Sequence, residues 1–242
     1  MASSSSSAPR RSCCGGPGRY ALWLAGRGYR VEHRDLVALH VDQLRADAGG
    51  GDRIGTAVGD ARELDLGEGT VDAVLLLGPI YHLQQRRDRL RALGEARRVV
   101  RPGGPVFVAA ISRWAPRLDG ELLQRLYESR PEIRGLVTDV ERTGWMRPLF
   151  SGSFSAYCHR PGQLRAELGA AGLELVDLVA VEGMAFALSD LDERMDDPLA
   201  RAVVLDAARA LERVPELLGI GPHLLATAVR PAGGVPVATG SG

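Results

Sequence analysis

The chain has 242 residues, enough for one large α/β domain or a domain with an added cap, and 45% of them are hydrophobic, which supports a real core and excludes global disorder. Its 30 basic side chains balance 30 carboxylates, so no charge excess argues for nucleic acid or an anionic membrane as partner. All of those basic side chains are arginine, which excludes a lysine nucleophile or Schiff base.

Residues 1–14 form a Ser-rich, Arg-containing, acid-free leader that runs into Gly15-Gly16-Pro17-Gly18-Arg19-Tyr20, a glycine loop. Such a loop works when a buried strand delivers the chain to a tight turn, and a central parallel strand should read as a Val/Ile/Leu run. The leader does not, so the strand ahead of the loop is expected to be missing, with Ser3–Cys14 pairing weakly at best. After the loop, Ala21, Leu22, Leu24 and Ala25 give a helix its apolar face, ended by Gly28. A strand follows over Tyr29–Asp35, with Glu32, His33 and Arg34 oddly polar for a buried position. Leu36–Ala46 reads as a helix, Arg53–Val58 as a weak strand ending at Gly59-Asp60, and Val71–Leu77 as the strongest strand. Arg86–Val100 is an Arg-rich helix with Leu90, Leu93, Ala96 and Val100 on one face, stopped by Pro102-Gly103-Gly104. Val106–Ile111 is again a buried strand.

The stretch Ser112–Tyr157 differs in kind: a helix over Gly120–Tyr127, then an irregular run holding Trp145, Phe150, Phe154 and Tyr157. A helix over Pro161–Ala171, a strand over Leu173–Val181, a helical region Asp190–Arg213 interrupted by Pro198, and a last strand His223–Val229 complete the pattern. The alternation predicts a Rossmann-like three-layer α/β sandwich with a mostly parallel central sheet. In it Val71–Leu77 and Val106–Ile111 should be adjacent and buried, with an inserted cap after the fifth strand. The expected organisation is a leader over 1–14, one domain over 15–230 with 112–157 as the cap, and a tail over 231–242.

Cys13 and Cys14 are adjacent and Cys158 is remote, a spacing that suits neither a disulfide framework nor a metal site, so no metal and a reducing cytoplasm are expected. No apolar run approaches the length of a membrane span.

Ligands of such sheets lie at the carboxyl ends of the strands, where this reading puts Gly16, Gly18, Asp35, Asp60 and Tyr81-His82. Asp35 is placed to accept from ribose hydroxyls or to cap the next helix. Asp60 can accept from an adenine amino group, with the Ala61 N–H facing the ring, or form an Asx turn. His82 is the candidate base because imidazole is the side chain that exchanges a proton near neutral pH, and Tyr81 is a candidate for aligning an acceptor, against a helix-surface role for His82. His159, before Pro161, reads as a turn residue. Trp145 is assigned to a pocket and Phe154 to packing.

Taken together, in this order and spacing, these features resemble the class I S-adenosylmethionine (SAM)-dependent methyltransferases, strongly from Gly15 to about Ile111 and more loosely over Phe154–Arg230. The resemblance implies SAM near Gly16 and Gly18, its ribose at Asp35, its adenine at Asp60 and Ala61, and methyl transfer to a small-molecule acceptor. Tyr81-His82-Leu83 is similar to a segment that small-molecule methyltransferases of this kind carry after the fourth strand. By the same register Ser12 stands at the family's acidic position and Cys14 at its first glycine, which implies weakened SAM binding and leaves an impaired relic as the alternative. An NAD-dependent oxidoreductase is the rival reading, because Gly16-x-Gly18-x-x-Ala21 with Asp35 fits that fingerprint too, although a Tyr-x-x-x-Lys pair is impossible here. No nucleic-acid or membrane partner is expected.

Overall fold

The computed structural model describes residues 11–14 (backbone only), 16–148 and 154–233. Expectations that fall on residues 1–10, Gly15, Phe150 and the tail beyond 233 lie outside the described residues. Five strands, β1 (Arg11–Cys14), β2 (Arg30–Asp35), β3 (Ile54–Val58), β4 (Ala73–Leu76) and β5 (Pro105–Ser112), pair in parallel in the spatial order β3-β2-β1-β4-β5. Further along the chain lie β6 (Trp145–Met146) and β7 (Ala156–His159). β7 joins the end of β5 in parallel at Ile111↔Cys158 and Ser112↔His159, and β6 pairs antiparallel with β7. β9 (His223–Val229) runs antiparallel along the whole of β5, and β8 (Glu174–Ala180) antiparallel along β9. The sheet is therefore mixed, with its parallel half on the N-terminal side.

The missing first strand is corrected. Arg11–Cys14 lies between β2 and β4, pairing from Arg11↔Arg30 to Cys14↔His33 on one side and at Ser12↔Ala73 and Cys13↔Val74 on the other. The reason is general: the N–H and C=O groups of two central strands need partners, and any backbone can supply them. The sheet thus begins within the stretch that reads as leader.

Helices cover both faces. Side chains alternate across a strand, and in β4 Val74 and Leu76 pack into one cluster while Leu75 packs into another. On the first face α4 (Arg86–Val99) and α6 (Pro161–Ala170) bring Leu93, Ala96, Leu164 and Leu168 against Val106 and Val108. On the second, α1 (Arg19–Ala25) and α2 (Ala38–Asp47) bring Ala21, Leu24 and Leu44 against Val31. Each fully buried Leu or Val stabilises by roughly 1.5–3 kcal/mol, so β4 and β5 anchor the domain. A single turn, α3 (Pro79–His82), follows β4.

The region between β5 and β7 opens with a π-helix over Pro116–Leu123, closed by the Gln124 N–H donating to the Asp119 carbonyl at 2.8 Å. A 3₁₀ turn Leu126–Glu128 and α5 (Ile133–Thr143) follow. α5 lies in the stretch read as irregular; its buried Ile133, Val137 and Val140 have helical spacing. α5 stops at Gly144, whose φ of 85° and close approach to the Arg113 side chain, the Tyr157 ring and the Cys158 carbonyl leave no room for a β-carbon. The interruption at Pro198 separates α7 (Leu191–Asp196) from α8 (Pro198–Leu211), whose first turn is capped by Asp197 accepting from the Ala200 N–H. No helix among the described residues is long and apolar enough to cross a membrane.

Candidate active site

The glycine loop sits at the carboxyl end of β1. Gly16 and Gly18 have φ of 84° and 93°, a conformation side-chain-bearing residues rarely adopt. A β-carbon at Gly18 would also run into the Leu44 side chain of α2, whereas one at Gly16 would meet nothing within 4 Å. The loop packs on one side and opens to space on the other.

Two residues of β2 grip Gly16. Its N–H donates to Asp35 Oδ2 at 2.6 Å, and its carbonyl lies 2.6 Å from His33 Nε2. Asp35 Oδ1 accepts from the Val37 N–H at 2.8 Å and lies 3.1 Å from His40 Nδ1. A carboxylate offers about four acceptor positions, so Asp35, tied to the loop and to the entry of α2, keeps capacity for one further donor. His40 is partly exposed. His33 is fully buried; burial pushes its pKa below 6.5, against the opposing effects of the Gly16 bond and the Asp35 charge. The neutral ring then donates from Nε2, and Nδ1 has no partner among the described residues.

The Gly59 N–H donates to the Asp35 carbonyl at 3.0 Å, bringing the end of β3 beside the end of β2. Asp60 accepts from the Arg62 N–H at 2.9 Å and pairs with Arg62 Nη2 at 2.6 Å; that hydrogen bonding holds its carboxyl below the usual range. The Asx turn is therefore formed, with an ion pair about one-third exposed, a setting in which such pairs stabilise little and an incoming donor can compete. Ala61 is half-buried against the core.

Tyr81 donates to the Leu77 carbonyl at 3.4 Å, and burial, followed by the neighbouring Tyr20 of α1, raises its phenol pKa. That places Tyr81 on the glycine-loop side. His82 is exposed, its ring centroid 4.8 Å from Tyr81 and 6.5 Å from Phe154. Phe154 in turn is a wall of a cavity of about 280 Å³ under the inserted region, shared with Ile111, Val137, Met146, Asp119 and Arg147 among others. The pocket role given to Trp145 and the packing role given to Phe154 are thus reversed. Trp145 is 44% exposed and lies beside Arg147; pairing of β6 with β7 turns Met146, not Trp145, to the cavity.

The structure joins Gly16 to Asp35 by a direct bond, brings Asp60 and Ala61 alongside through Gly59, and sets Tyr81 and His82 between loop and cavity. A buried support was not legible in the sequence. Arg89 donates to both carboxylate oxygens of Glu167 at 2.9 and 2.7 Å, stacks 3.6 Å over the Tyr157 ring, and donates to the carbonyls of Leu83 and Gln84. It thereby pins the chain directly after Tyr81-His82. His159, expected in a turn, is instead fully buried at the end of β7 with Nε2 3.3 Å from Glu167 Oε2. Burial raises the Glu167 pKa, but the hydrogen bonds from Arg89 and His159 and the Arg89 charge outweigh it and bring it to about 2.

Comparison with known proteins gives the arrangement a context. Residues 12–108, from β1 through most of β5, match the methyltransferase domain family. The ubiquinone/menaquinone biosynthesis C-methyltransferase UbiE of Acidiphilium cryptum is 38% identical over 118 residues. That match covers 47% of this chain and 45% of the relative, so it spans about half of each. A SAM-dependent methyltransferase from Methanosarcina mazei superposes with a TM-score of 0.62 at 15% identity, covering 93% of this chain and 94% of that one. The 1,6-didemethyltoxoflavin-N1-methyltransferase of Burkholderia thailandensis, solved with bound 1,6-didemethyltoxoflavin and S-adenosylhomocysteine, gives 0.56 at 18% identity over 92% and 72%. The glycine loop alone suits NAD as well as SAM; the matching domain family and the relative are both methyltransferases. Residues 12–108 thus match the methyltransferase domain family, and the chain as a whole shares the fold of solved SAM-dependent methyltransferases.

Proposed function

We propose that this protein transfers a methyl group from SAM to an apolar small molecule seated in the cavity beneath the inserted region. The observation that carries this reading is continuity: the open side of the glycine loop and the cavity are bridged by Tyr81, His82 and Phe154.

The residues present fit the cofactor. Space is open over Gly16, Asp35 has an acceptor position left for a ribose hydroxyl, and Asp60 with Ala61 lies alongside for the adenine. SAM, when bound, supplies an electrophilic methyl group on a sulfonium. The remaining work falls to the chain: methyl transfer is an in-line displacement, so alignment dominates. Apolar walls at Ile111, Val137 and Phe154 hold the acceptor and exclude water, and Tyr81 orients its reacting group. His82 takes a proton from those acceptors that must lose one. Arg89 keeps this segment in register through Leu83 and Gln84. Residues 112–157 serve as the acceptor-side cap, and a reducing cytoplasm suits the three thiols.

The test uses methyl-labelled SAM with organic extracts of the source cells, with label counted in the extractable product. Val137→Trp, which fills the cavity, should abolish labelling while leaving S-adenosylhomocysteine affinity intact. Undiminished labelling by that variant would remove the cavity from the reaction.

A further inference from the structure

We propose that His33 is a positioning residue of the cofactor site, fixing the Gly16 carbonyl so that the glycine loop is held ready for SAM. The proposal rests on reading this loop as the SAM-binding turn.

His33 occupies an interior position of β2, flanked by β1 and β3, where parallel strands ordinarily carry apolar residues. Burying a polar ring is costly unless it is hydrogen-bonded. The bond His33 makes crosses 17 positions of sequence to reach the carbonyl of Gly16. Asp35, two residues further along β2, holds the N–H of the same residue. These groups belong to the two peptide planes flanking the Gly16 Cα, so together the bonds pin both of its soft dihedrals at the φ of 84°. Glycine is the residue with the most freedom to lose. Without the tie, that freedom would be lost on binding and affinity would fall. The chain also carries Ser12 where the resemblance calls for an acidic residue, so organisation of the loop from β2 matters more here.

The experiment is calorimetric titration of the full chain with S-adenosylhomocysteine for wild type, His33→Gln, His33→Phe and His33→Asn. Hydrogen exchange of the peptide spanning residues 16–24 and thermal melts accompany it. Gln can place an amide donor near the Nε2 position; Phe offers none and Asn is too short. Wild type and His33→Gln should bind alike, and the other two roughly tenfold or more weakly, with faster loop exchange. The Asn variant carries the comparison if the Phe variant fails to fold. Equal affinity of wild type, Asn and any folded Phe variant would overturn the proposal alone. A folded wild type that does not bind S-adenosylhomocysteine would overturn the cofactor reading and the proposal with it.

Discussion

Asp35 holds the Gly16 N–H and the Val37 N–H, and the proposed cofactor site gives it a ribose hydroxyl as a further donor. Asp60, by contrast, is occupied by Arg62 in a partly exposed turn. Asp35→Ala is therefore expected to weaken SAM binding more than Asp60→Ala, each charge-assisted bond being worth roughly 1.5–3 kcal/mol and the loss for Asp35 tenfold or greater. Calorimetry on the two variants checks the order; equal or reversed losses would contradict the role given to Asp35. The turn at Gly16 and Gly18 and the strand end at Asp35 were legible in the sequence because turn chemistry and strand ends are local signals. The His33–Gly16 bond was not, since nothing in a polar residue inside a strand pattern says which distant carbonyl it meets. Trp145 and Phe154 were misassigned because β7, which sets the direction of each side chain of β6, leaves too short a pattern to read.

At the scale of elements, Arg89 of α4 and Glu167 of α6 tie together the two helices that cover one face of the sheet. Both are almost fully buried, and removing one partner of such a pair leaves an uncompensated charge. Glu167→Gln is expected to lower stability by about 3–5 kcal/mol in urea unfolding. A loss below about 1 kcal/mol, the range of an exposed pair, would show the pair to be solvated. The same carboxyl sets an acid limit. Its folded pKa of about 2 lies below the ordinary 4.5, so its contribution is fully present above pH 4.5 and is lost as pH falls toward 2. His159, whose pKa burial lowers, stays neutral in the fold while the unfolded chain takes up a proton below about 6.5; it acts in the same direction at a higher pH. Melting temperatures should fall in steps below pH 6.5 and below pH 4.5, the second step smaller in Glu167→Gln, since Asp60 and other paired carboxylates titrate in the same window. The sequence showed α4 and α6 as amphipathic helices, but a charged pair 78 positions apart reads as two solvated surface residues until the fold brings them together. α5 has a helical spacing at Ile133, Val137 and Val140, but the aromatic run beyond it marks the stretch as irregular by sequence.

For the whole molecule, the alternation of strands and helices carried the three-layer architecture and the β4–β5 adjacency, because continuous apolar runs such as Val71–Leu77 are hard to place elsewhere than at the centre of a sheet. β1 escaped because its place depends on the backbone needs of β2 and β4 and not on its own side chains. The filled centre turns the expectation of a damaged cofactor site into that of a formed one, with Ser12 and Cys14 the remaining departures. Titration of the purified chain with SAM, S-adenosylhomocysteine and NADH in parallel meets this most directly. Saturable one-to-one binding of the first two, with no heat from NADH, is expected. Saturable NADH binding by a folded chain that takes up neither SAM nor S-adenosylhomocysteine would contradict it.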